Sequence, residues 1–475
     1  MRWIGSETFW LTRLIYQRGL ALILLAAFLN AAFEFKPLLG EHGLLPVPLF
    51  TMAVPFAATP SLFFFAPTVA AWLGVLLACV ALTGFADRYA NWLSMLVWAL
   101  LWILYISFVN VGQTFYAFGW ESILLEATFY AIFLGSRRTP PQTIGIWLLR
   151  WLLFRLMFGP GLIKMRGEPC WRELTCLNYH YETQPMPGPL SWFFHWAPAW
   201  FHTSGVIFNH FSELVVPFLY FLPQPIAAIA GVITIAFQGL IFAGGNLAWL
   251  NALTMVLALS TFDDRFLSRI FRIRIPAAAR HAPAHRVATV GLGILVAFLS
   301  IQPIRNMLSP GQVMNTDYNR FHLVGTYGAF GSITRPRYEV IVEGTNDTGP
   351  AASTEWREYE IWGKPGDLGR MPPQIAPYHL RLGWLMWFAA LSSWEDESWF
   401  APFMQKLLEG DRAVLSLLRS NPFPDHPPRY VRALIYEYHF TSPAERAATG
   451  KWWTRKLTGQ YFPPIMWRRG PLPPS

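Results

Sequence analysis

Long apolar runs recur through residues 1–303 and are separated by shorter polar segments. A helix needs about 20 mostly apolar residues to cross the hydrocarbon core of a bilayer. Nine runs reach or approach this length, so the pattern predicts nine membrane-crossing helices. Their predicted bounds are 11–33, 61–83, 92–109, 119–135, 144–165, 208–222, 225–243, 247–262 and 287–303.

The pattern changes near residue 304, where the apolar stretches become shorter and alternate with polar positions. Alternation bounded by turn residues predicts strands, and short stretches of helical periodicity predict helices. The predicted strands are 337–344, 354–362 and 430–440, and the predicted helices are 378–391, 399–408 and 413–419. We therefore expect a polytopic α-helical membrane bundle at 1–303 and a small α+β domain outside the membrane at 304–475.

Basic residues orient the predicted helices, because cytoplasmic loops are enriched in Lys and Arg. A cytoplasmic N-terminus with nine crossings places all the basic loops on the cytoplasmic side, including the strongest, at 263–286. The arginines concerned are Arg2, Arg13, Arg18, Arg88, Arg137, Arg138, Arg265, Arg269, Arg272, Arg274, Arg280 and Arg286. The loop 166–207 and the domain 304–475 are then expected in the lumen or periplasm.

Composition supports a protein embedded in a lipid bilayer. Of the 475 residues, 53% are hydrophobic and 14% are charged, whereas soluble domains average about 25% charged residues. The net charge of +9 could indicate nucleic-acid binding, but the basic residues are not clustered among aromatics on a polar face. We expect no nucleic-acid partner. The first apolar run contains Arg13 and Arg18 and lacks a small-residue cleavage site, so we expect it to remain as a helix.

Ionisable residues interrupt the fourth and fifth apolar runs. Glu121 and Glu126 lie in the fourth run, and Arg150 and Arg155 lie in the fifth. A charge in hydrocarbon costs about 2.5–3.5 kcal/mol on insertion scales, so such groups usually face a partner or a wet cavity. A short connection makes the two helices antiparallel neighbours, with Glu126 at the depth of Arg155 and Glu121 nearer Lys164. This buried charge network predicts either interhelical ion pairs or a polar cavity that opens outward.

Lys164 is a candidate catalytic base near the outer end of the fifth run. The preceding Gly159, Pro160 and Gly161 favour a loosened or kinked helix. A lysine in a low-dielectric pocket can lose its proton and act as a base. A lysine at the end of a span can instead extend to the membrane interface, which would give Lys164 a structural role.

The external loop 166–207 contains further candidate chemistry. Cys170 and Cys176 have a spacing that matches neither the redox C-x-x-C motif nor a zinc knuckle. A structural disulfide, two free thiols and a redox-active pair all remain open. Trp171, His180 and Glu182 lie in the same loop. The spacing of the histidines and acids matches no helical ligand signature, so we expect no metal and no cofactor.

Several blocks of sequence resemble the lipase maturation factor family, and together they extend over nearly the whole chain. The longest is GLIKMRGEPCWRELTCLNYHYETQPMPGPLSWFFH at 161–195. The others are FWLTR (9–13), GWESILLEATF (119–129), FHLVGTYGAFGSITRPRYEVIVEGT (321–345), YHLRLGWLMWFAAL (378–391), NPFPDHPPRYVRALIYEYHF (421–440) and GKWW (450–453).

The resemblance implies a multi-pass membrane protein with a lumenal C-terminal domain. In animals, members of this family are located in the endoplasmic reticulum and assist the folding and assembly of secreted dimeric lipases. The resemblance therefore implies secreted client proteins, lipases among them, as partners. It also implies the endoplasmic reticulum membrane in a eukaryote, or the inner membrane in a bacterium.

A shorter likeness is to membrane proteins related to the vitamin K-dependent carboxylase. It consists of an apolar helix that ends in a lysine and is followed by a tryptophan loop, here Lys164 and Trp171. This likeness implies a membrane enzyme that uses Lys164 as its base. An outward cavity around Lys164 that contains Glu121 would favour the enzyme. A filled bundle with an exposed aromatic patch on the outer domain would favour a non-enzymatic folding factor.

Overall fold

Long helices form the first part of the computed structural model, which describes residues 8–62, 67–273, 283–349, 351 and 353–466. The principal helices are α1 (Trp10–Leu39), α2 (Pro67–Thr83), α3 (Asn91–Val111), α4 (Gly119–Leu134), α5 (Thr143–Arg166), α6 (Ala199–His210), α7 (Ile226–Gly244), α8 (Leu250–Ala258) and α9 (Pro283–Leu299). The helices α6, α8 and α9 are each continued by shorter helical turns, at Phe211–Val215 and Val216–Leu219, at Leu259–Thr261, and at Ile301–Leu308. The connections contain the short helices Val47–Ala53, Ala86–Arg88, Gln113–Tyr116, Pro169–Arg172, Leu177–Thr183, Ser191–His195 and Asp264–Leu267.

Five helices within the described residues are long and apolar enough to cross a membrane. They are Trp10–Leu39, Asn91–Val111, Thr143–Arg166, Ile226–Gly244 and Pro283–Leu308, while Pro67–Thr83 and Leu250–Thr261 are apolar but shorter. The helix α4 has 16 residues, and a π-helical turn interrupts the run predicted at 208–222. The molecule is therefore a multi-helix membrane protein, but helix length alone does not establish nine crossings.

The connections predicted to be cytoplasmic meet at one end of the bundle. Asp264 accepts hydrogen bonds from two backbone N–H groups in the first turn of α1, where the helix dipole favours a carboxylate. Arg18 of α1 forms an ion pair with Asp87 in the α2–α3 connection. Arg13 donates a 2.6 Å hydrogen bond to the carbonyl oxygen of Thr139 in the α4–α5 connection. Arg2, Arg274 and Arg280 lie outside the described residues.

The C-terminal part is an antiparallel sheet with flanking helices. Its strands are β1 (Arg337–Thr345), β2 (Arg357–Glu358), β3 (Glu360–Ile361), β4 (Leu418–Ser420), β5 (Tyr430–Phe440) and β6 (Trp453–Met466). Four of them form a sheet in the order β2-β1-β5-β6, and β3 pairs with β4. The helices are α10 (Arg381–Ala389), α11 (Phe400–Glu409), the single turn Arg412–Leu415 and α12 (Pro443–Thr449).

Three details of the C-terminal part differ from the sequence prediction. The strand predicted at 354–362 divides at Tyr359 into β2 and β3, which belong to different sheets. The helix predicted at 413–419 is a single turn that leads into β4. The strand β6 was not predicted because Pro463 and Pro464 cannot donate ladder hydrogen bonds. Proline within a sheet is confined mainly to edge strands and bulges, and β6 is an edge strand with irregular register.

The apolar core continues from the bundle into the C-terminal part. One cluster of buried side chains includes Leu24 of α1, Leu124 of α4, Leu385 of α10 and Phe403 of α11. Buried apolar area is the main source of folding stability. The sheet is therefore packed onto the helices through α10 and α11.

Candidate functional site

Glu126 of α4 and Arg155 of α5 form an ion pair inside the bundle. Tyr327 donates a 2.7 Å hydrogen bond to Glu126, and Tyr130 donates a second one. Arg155 also donates to the carbonyl oxygen of Gly325 at 2.7 Å. The two charged side chains are 0% and 1% exposed. Because solvent cannot reach them, their stabilisation comes from these protein groups.

A second ion pair joins the C-terminal part to the bundle. Arg381 at the start of α10 lies 2.8 Å from Glu121 of α4. The guanidinium also donates to the side chain of Asn30 at 2.7 Å and to the carbonyl oxygen of Phe115 at 2.6 Å. The backbone N–H of Arg381 donates to Glu34 at 3.0 Å. One buried arginine therefore fixes α10 against both α1 and α4.

Aromatic side chains enclose this junction. The guanidinium carbon of Arg381 lies 3.4 Å from the centroid of the Tyr116 ring, and Tyr105 donates a hydrogen bond to Glu121. His379 Nδ1 lies 3.6 Å from Glu121. Burial, and then the neighbouring Arg381, lower the pKa of His379 to about 4. At neutral pH the positive charge of the junction is therefore on Arg381.

Lys164 pairs with Glu213, which corrects the predicted arrangement of Lys164 beside Glu121. Lys164 Nζ lies 2.7 and 2.9 Å from the two carboxylate oxygens of Glu213. It also donates to Asn209 at 2.8 Å and lies 4.9 Å from the centroid of the Trp171 ring. The Lys164 and Glu121 side chains are thus held in separate clusters by different partners.

A π-helical turn brings Glu213 to the lysine. The turn spans Phe211–Val215, and such turns insert an extra residue into a helix, often at functional sites. The Lys164 side chain is 5% exposed, and its ammonium group already binds a carboxylate and an amide oxygen. A general base needs a position within reach of the proton it removes. The geometry of Lys164 favours a structural ion pair.

The structure joins Cys170 and Cys176 in a disulfide bond, with their Cα atoms 4.8 Å apart. Both cysteines and Trp171 are buried. The Trp171 indole donates to the carbonyl oxygen of Phe330 at 2.8 Å, and His210 bonds to the carbonyl oxygen of Trp171 at 2.9 Å. Reactive cysteines are normally partly exposed. This burial favours the structural disulfide among the three alternatives.

Glu182 fastens the loop 166–207 to the two central strands of the sheet. Its carboxylate accepts a hydrogen bond from the backbone N–H of Phe440 at the end of β5. Its carbonyl oxygen accepts a 2.8 Å hydrogen bond from Arg337 at the start of β1. Arg337 is held in turn by an ion pair with Glu339. The predicted external loop is therefore an integral layer of the C-terminal part.

His180 lies in the same loop and is buried against aromatic rings. Its ring packs edge-on against Phe330, with the centroids 5.0 Å apart. Burial, and then the nearby Lys164, lower the pKa of His180 to about 4, so its imidazole is neutral at pH 7. Among the described residues, no group of three or more His, Cys, Asp or Glu side chains is placed to hold a metal ion.

Arg150 is separate from the two glutamates with which it was grouped. Its guanidinium donates to the carbonyl oxygens of Ser260 at 2.8 Å and Tyr220 at 3.1 Å, and it lies over the rings of Phe9 and Trp147. Carbonyl groups at helix ends carry partial negative charge. The four residues predicted as one buried charge network are thus divided: Arg150 binds carbonyl groups near helix ends, Glu126 pairs with Arg155, and Glu121 pairs with Arg381.

Four of these partners were not predicted from the sequence: Asn30, Glu34, Glu213 and Arg381. A signal existed for Glu213, because it is the only charged residue in the apolar run 208–222. A carboxylate in such a run calls for a cation nearby. Glu34 directly follows the first apolar run, 11–33, and is a further carboxylate next to apolar sequence. No comparable pattern marks Arg381, which lies in the C-terminal part.

Two family models match the chain. The lipase maturation factor transmembrane domain matches residues 11–269, and the lipase maturation factor C-terminal domain matches residues 323–463. The chain belongs to the lipase maturation factor family. This confirms the resemblance seen in the sequence, and the matches give no support to the carboxylase likeness.

Individual relatives show the same relationship along nearly the full length of the chain. Lipase maturation factor 1 of Homo sapiens is 44% identical, and the alignment covers 97% of this chain and 89% of the human protein. Lipase maturation factor 1 of Mus musculus is 42% identical, with coverage of 97% and 88%. Lipase maturation factor 2 of Gallus gallus is 30% identical, with coverage of 95% and 81%. No solved structure matches the chain.

Proposed function

We propose that this chain is a membrane-embedded maturation factor that assists the folding and assembly of secreted lipases. Membership of the lipase maturation factor family supports this function, since the similarity includes both the helices and the C-terminal part. The client class follows from the names of the relatives. A role as a folding factor requires a stable surface for client chains on the side where secreted proteins fold.

One structural observation carries the proposal. The sheet, the loop 166–207 and the bundle are joined by buried arginines. Arg381 forms an ion pair with Glu121, and Arg337 donates to the backbone carbonyl oxygen of Glu182. Preorganised surfaces bind with a lower entropic cost than flexible ones. Aromatic side chains are exposed on the loop 166–207, where Trp196 is 43% and Trp200 is 69% exposed. Such side chains can contact apolar segments of an unfolded client.

We further propose nine crossings, with a cytoplasmic N-terminus and with the external loop 166–207 and the domain 304–475 on the opposite side. The meeting of the basic connections at one end of the bundle supports this topology. Four shorter elements would then cross the membrane together with the five long helices. They are α2, α4, α8, and α6 with its continuation to Leu219. The membrane would be that of the endoplasmic reticulum in a eukaryote, or the inner membrane in a bacterium.

The topology predicts opposite outcomes for two reporter fusions. A reporter active only outside the cytoplasm should be active after Ser475 and silent after Arg280, because the proposed topology puts these positions on opposite sides of the membrane. The loop at 263–286 carries the dense positive charge that retains a segment in the cytoplasm. Fusions at both positions with equal expression provide the measurement. An active Arg280 fusion or a silent Ser475 fusion rejects the nine-crossing topology.

The maturation role predicts rescue of lipase secretion. Cells that lack lipase maturation factor 1 and express a secreted dimeric lipase should regain lipase activity in the medium when this chain is supplied. The double substitution Lys164→Met with Glu213→Leu removes both members of one buried pair, so it leaves neither charge unpaired. It should therefore preserve both abundance and rescue. Loss of rescue at normal abundance would favour the enzyme that uses Lys164, and failure of the unaltered chain would reject the lipase role.

A further inference from the structure

A groove of about 440 Å³ lies between α1 and the C-terminal part. This volume is within the range of small-molecule sites, about 300–1,000 Å³. Its lining is mainly apolar and comes from the end of α1, from β3 and the turn after it, from the start of α10 with the residues before it, and from the approach to β4. The lining residues that decide its character are Phe33, Trp362, Leu380, Leu382, Ser416 and Leu417.

The groove begins on the lipid-facing surface of α1. Phe33 is 57% exposed and stacks edge-on with Trp72 of α2, which is 47% exposed. These two rings face outward from helices that lie side by side. Exposed aromatic rings on a membrane helix contact lipid, and they are enriched near the headgroup level. A lipid chain beside α1 would therefore meet the groove without leaving the bilayer.

Charge positions along α1 place the mouth of the groove near the headgroups. Arg18 and Lys36 are 18 residues apart, which corresponds to a rise of about 27 Å along a helix. The hydrocarbon core is about 30 Å thick, so these cations mark its two borders. Phe33 lies one turn inside Lys36, on the same exposed face of the helix. Lys36 is itself exposed.

A second cation borders the groove on the extramembrane side. The guanidinium carbon of Arg419 lies 4.9 Å from the centroid of the Trp362 ring, which lines the groove. Arg419 is an exposed residue, and its nearest acid, Glu360, is 3.7 Å away. The buried Glu34 in the groove wall already accepts hydrogen bonds from Asn30 and Arg381. The groove thus combines an apolar interior with cations at its border.

We propose that this groove binds one anionic phospholipid from the leaflet next to the C-terminal part. An acyl chain would lie along Phe33, Leu382 and Leu417, and the phosphate would lie between Lys36 and Arg419. Cations near a membrane surface attract anionic headgroups, and a phosphate is matched by the donors of arginine. The bound lipid would brace the C-terminal part against the bilayer. This site goes beyond the proposed maturation role and does not depend on it.

The experiment uses the full chain reconstituted in phosphatidylcholine vesicles that contain a photoactivatable phosphatidylglycerol. Irradiation should attach the lipid to peptides that contain Phe33 or Leu417. The substitution Ser416→Trp enters the groove from an exposed position and should abolish this labelling. The matched substitution Ser416→Ala leaves the groove open and should label like the unaltered chain. Equal labelling of the tryptophan and alanine variants would overturn the proposal.

A second comparison tests the headgroup preference. Arg419→Gln should lower labelling by phosphatidylglycerol, relative to a photoactivatable phosphatidylcholine, by about fivefold, since each basic residue at a membrane surface contributes on that order. Arg429→Gln removes an exposed arginine from the same part of the chain outside the groove lining and should leave the ratio unchanged. An unchanged ratio in Arg419→Gln overturns the anionic assignment. If a client chain, and not an added lipid, blocks labelling of the groove peptides, the groove binds protein and the lipid proposal is wrong.

Discussion

Replacement of Glu126 by alanine is expected to remove most of the folded protein from the membrane. The substitution leaves Arg155 charged inside the bundle, with its guanidinium carbon 5.6 Å from the rings of Trp151 and Tyr327 and no carboxylate beside it. It also removes the acceptor for the hydroxyl groups of Tyr130 and Tyr327. Breaking a buried ion pair typically costs about 3–5 kcal/mol, and whole domains are stable by only about 5–15 kcal/mol. Membrane abundance measured by quantitative immunoblot checks the result.

A double substitution separates the lost charge pair from a general packing defect. Glu126→Leu with Arg155→Met removes both charges and replaces them with apolar side chains, which can be neutral or stabilising for a buried pair. It should recover much of the abundance that Glu126→Ala loses. The exposed Arg88 offers a matched control, since Arg88→Ala should change little. Normal abundance of Glu126→Ala would mean that this pair does not stabilise the bundle.

The pairing of Glu126 with Arg155 could be anticipated from local sequence. A short connection forces α4 and α5 to be antiparallel, and helical rise then sets which residues share a depth. The strands β1 and β5 were predictable for a similar reason. Both runs are rich in β-branched and aromatic residues, and the structure pairs them residue by residue from Arg337 opposite Tyr438 to Thr345 opposite Tyr430.

Contacts between residues far apart in the chain could not be predicted from short connections or local periodicity. Lys164 and Glu213 are 49 residues apart, and Glu121 and Arg381 are 260 residues apart. Periodicity gives the face of each helix but not the neighbour that covers it. Depth matching of α4 and α5 therefore placed Lys164 nearer Glu121, the carboxylate toward the outer end of the neighbouring helix. The π-helical turn that presents Glu213 depends on tertiary packing and has no reliable local signature.

The number of membrane crossings could not be predicted from apolar composition alone. Apolar composition identifies a run that can enter the bilayer, but the helix formed within it can be shorter than the run. The helix α8 and its following turn occupy 250–261 of a run predicted at 247–262, too short to span by length alone. Short helices can be accommodated by local thinning or by protein neighbours. The number of crossings thus depends on packing that the sequence pattern does not contain.

Replacement of Arg381 by methionine is expected to loosen the C-terminal part from the bundle. Methionine keeps much of the side-chain length but loses the ion pair with Glu121 and the hydrogen bonds to Asn30 and Phe115. Glu121 would be left as a buried carboxylate that has lost its guanidinium partner, beside Tyr105 and His379. The expected loss is again about 3–5 kcal/mol, concentrated at the contact of α10 with α1 and α4.

Limited proteolysis of the full chain in membranes can detect this loosening directly. Arg381→Met should expose sites around α10 that are protected in the unaltered chain, and abundance should fall. Arg370→Met is the matched control, because Arg370 is 23% exposed and its pairs with Glu360 and Asp367 lie at the surface. Exposed pairs contribute about 0–1 kcal/mol, so this control should keep its protection pattern. If Arg381→Met is cleaved no faster than Arg370→Met, the apolar core through α10 and α11 suffices to hold the two parts together, and the buried arginine is not what joins them.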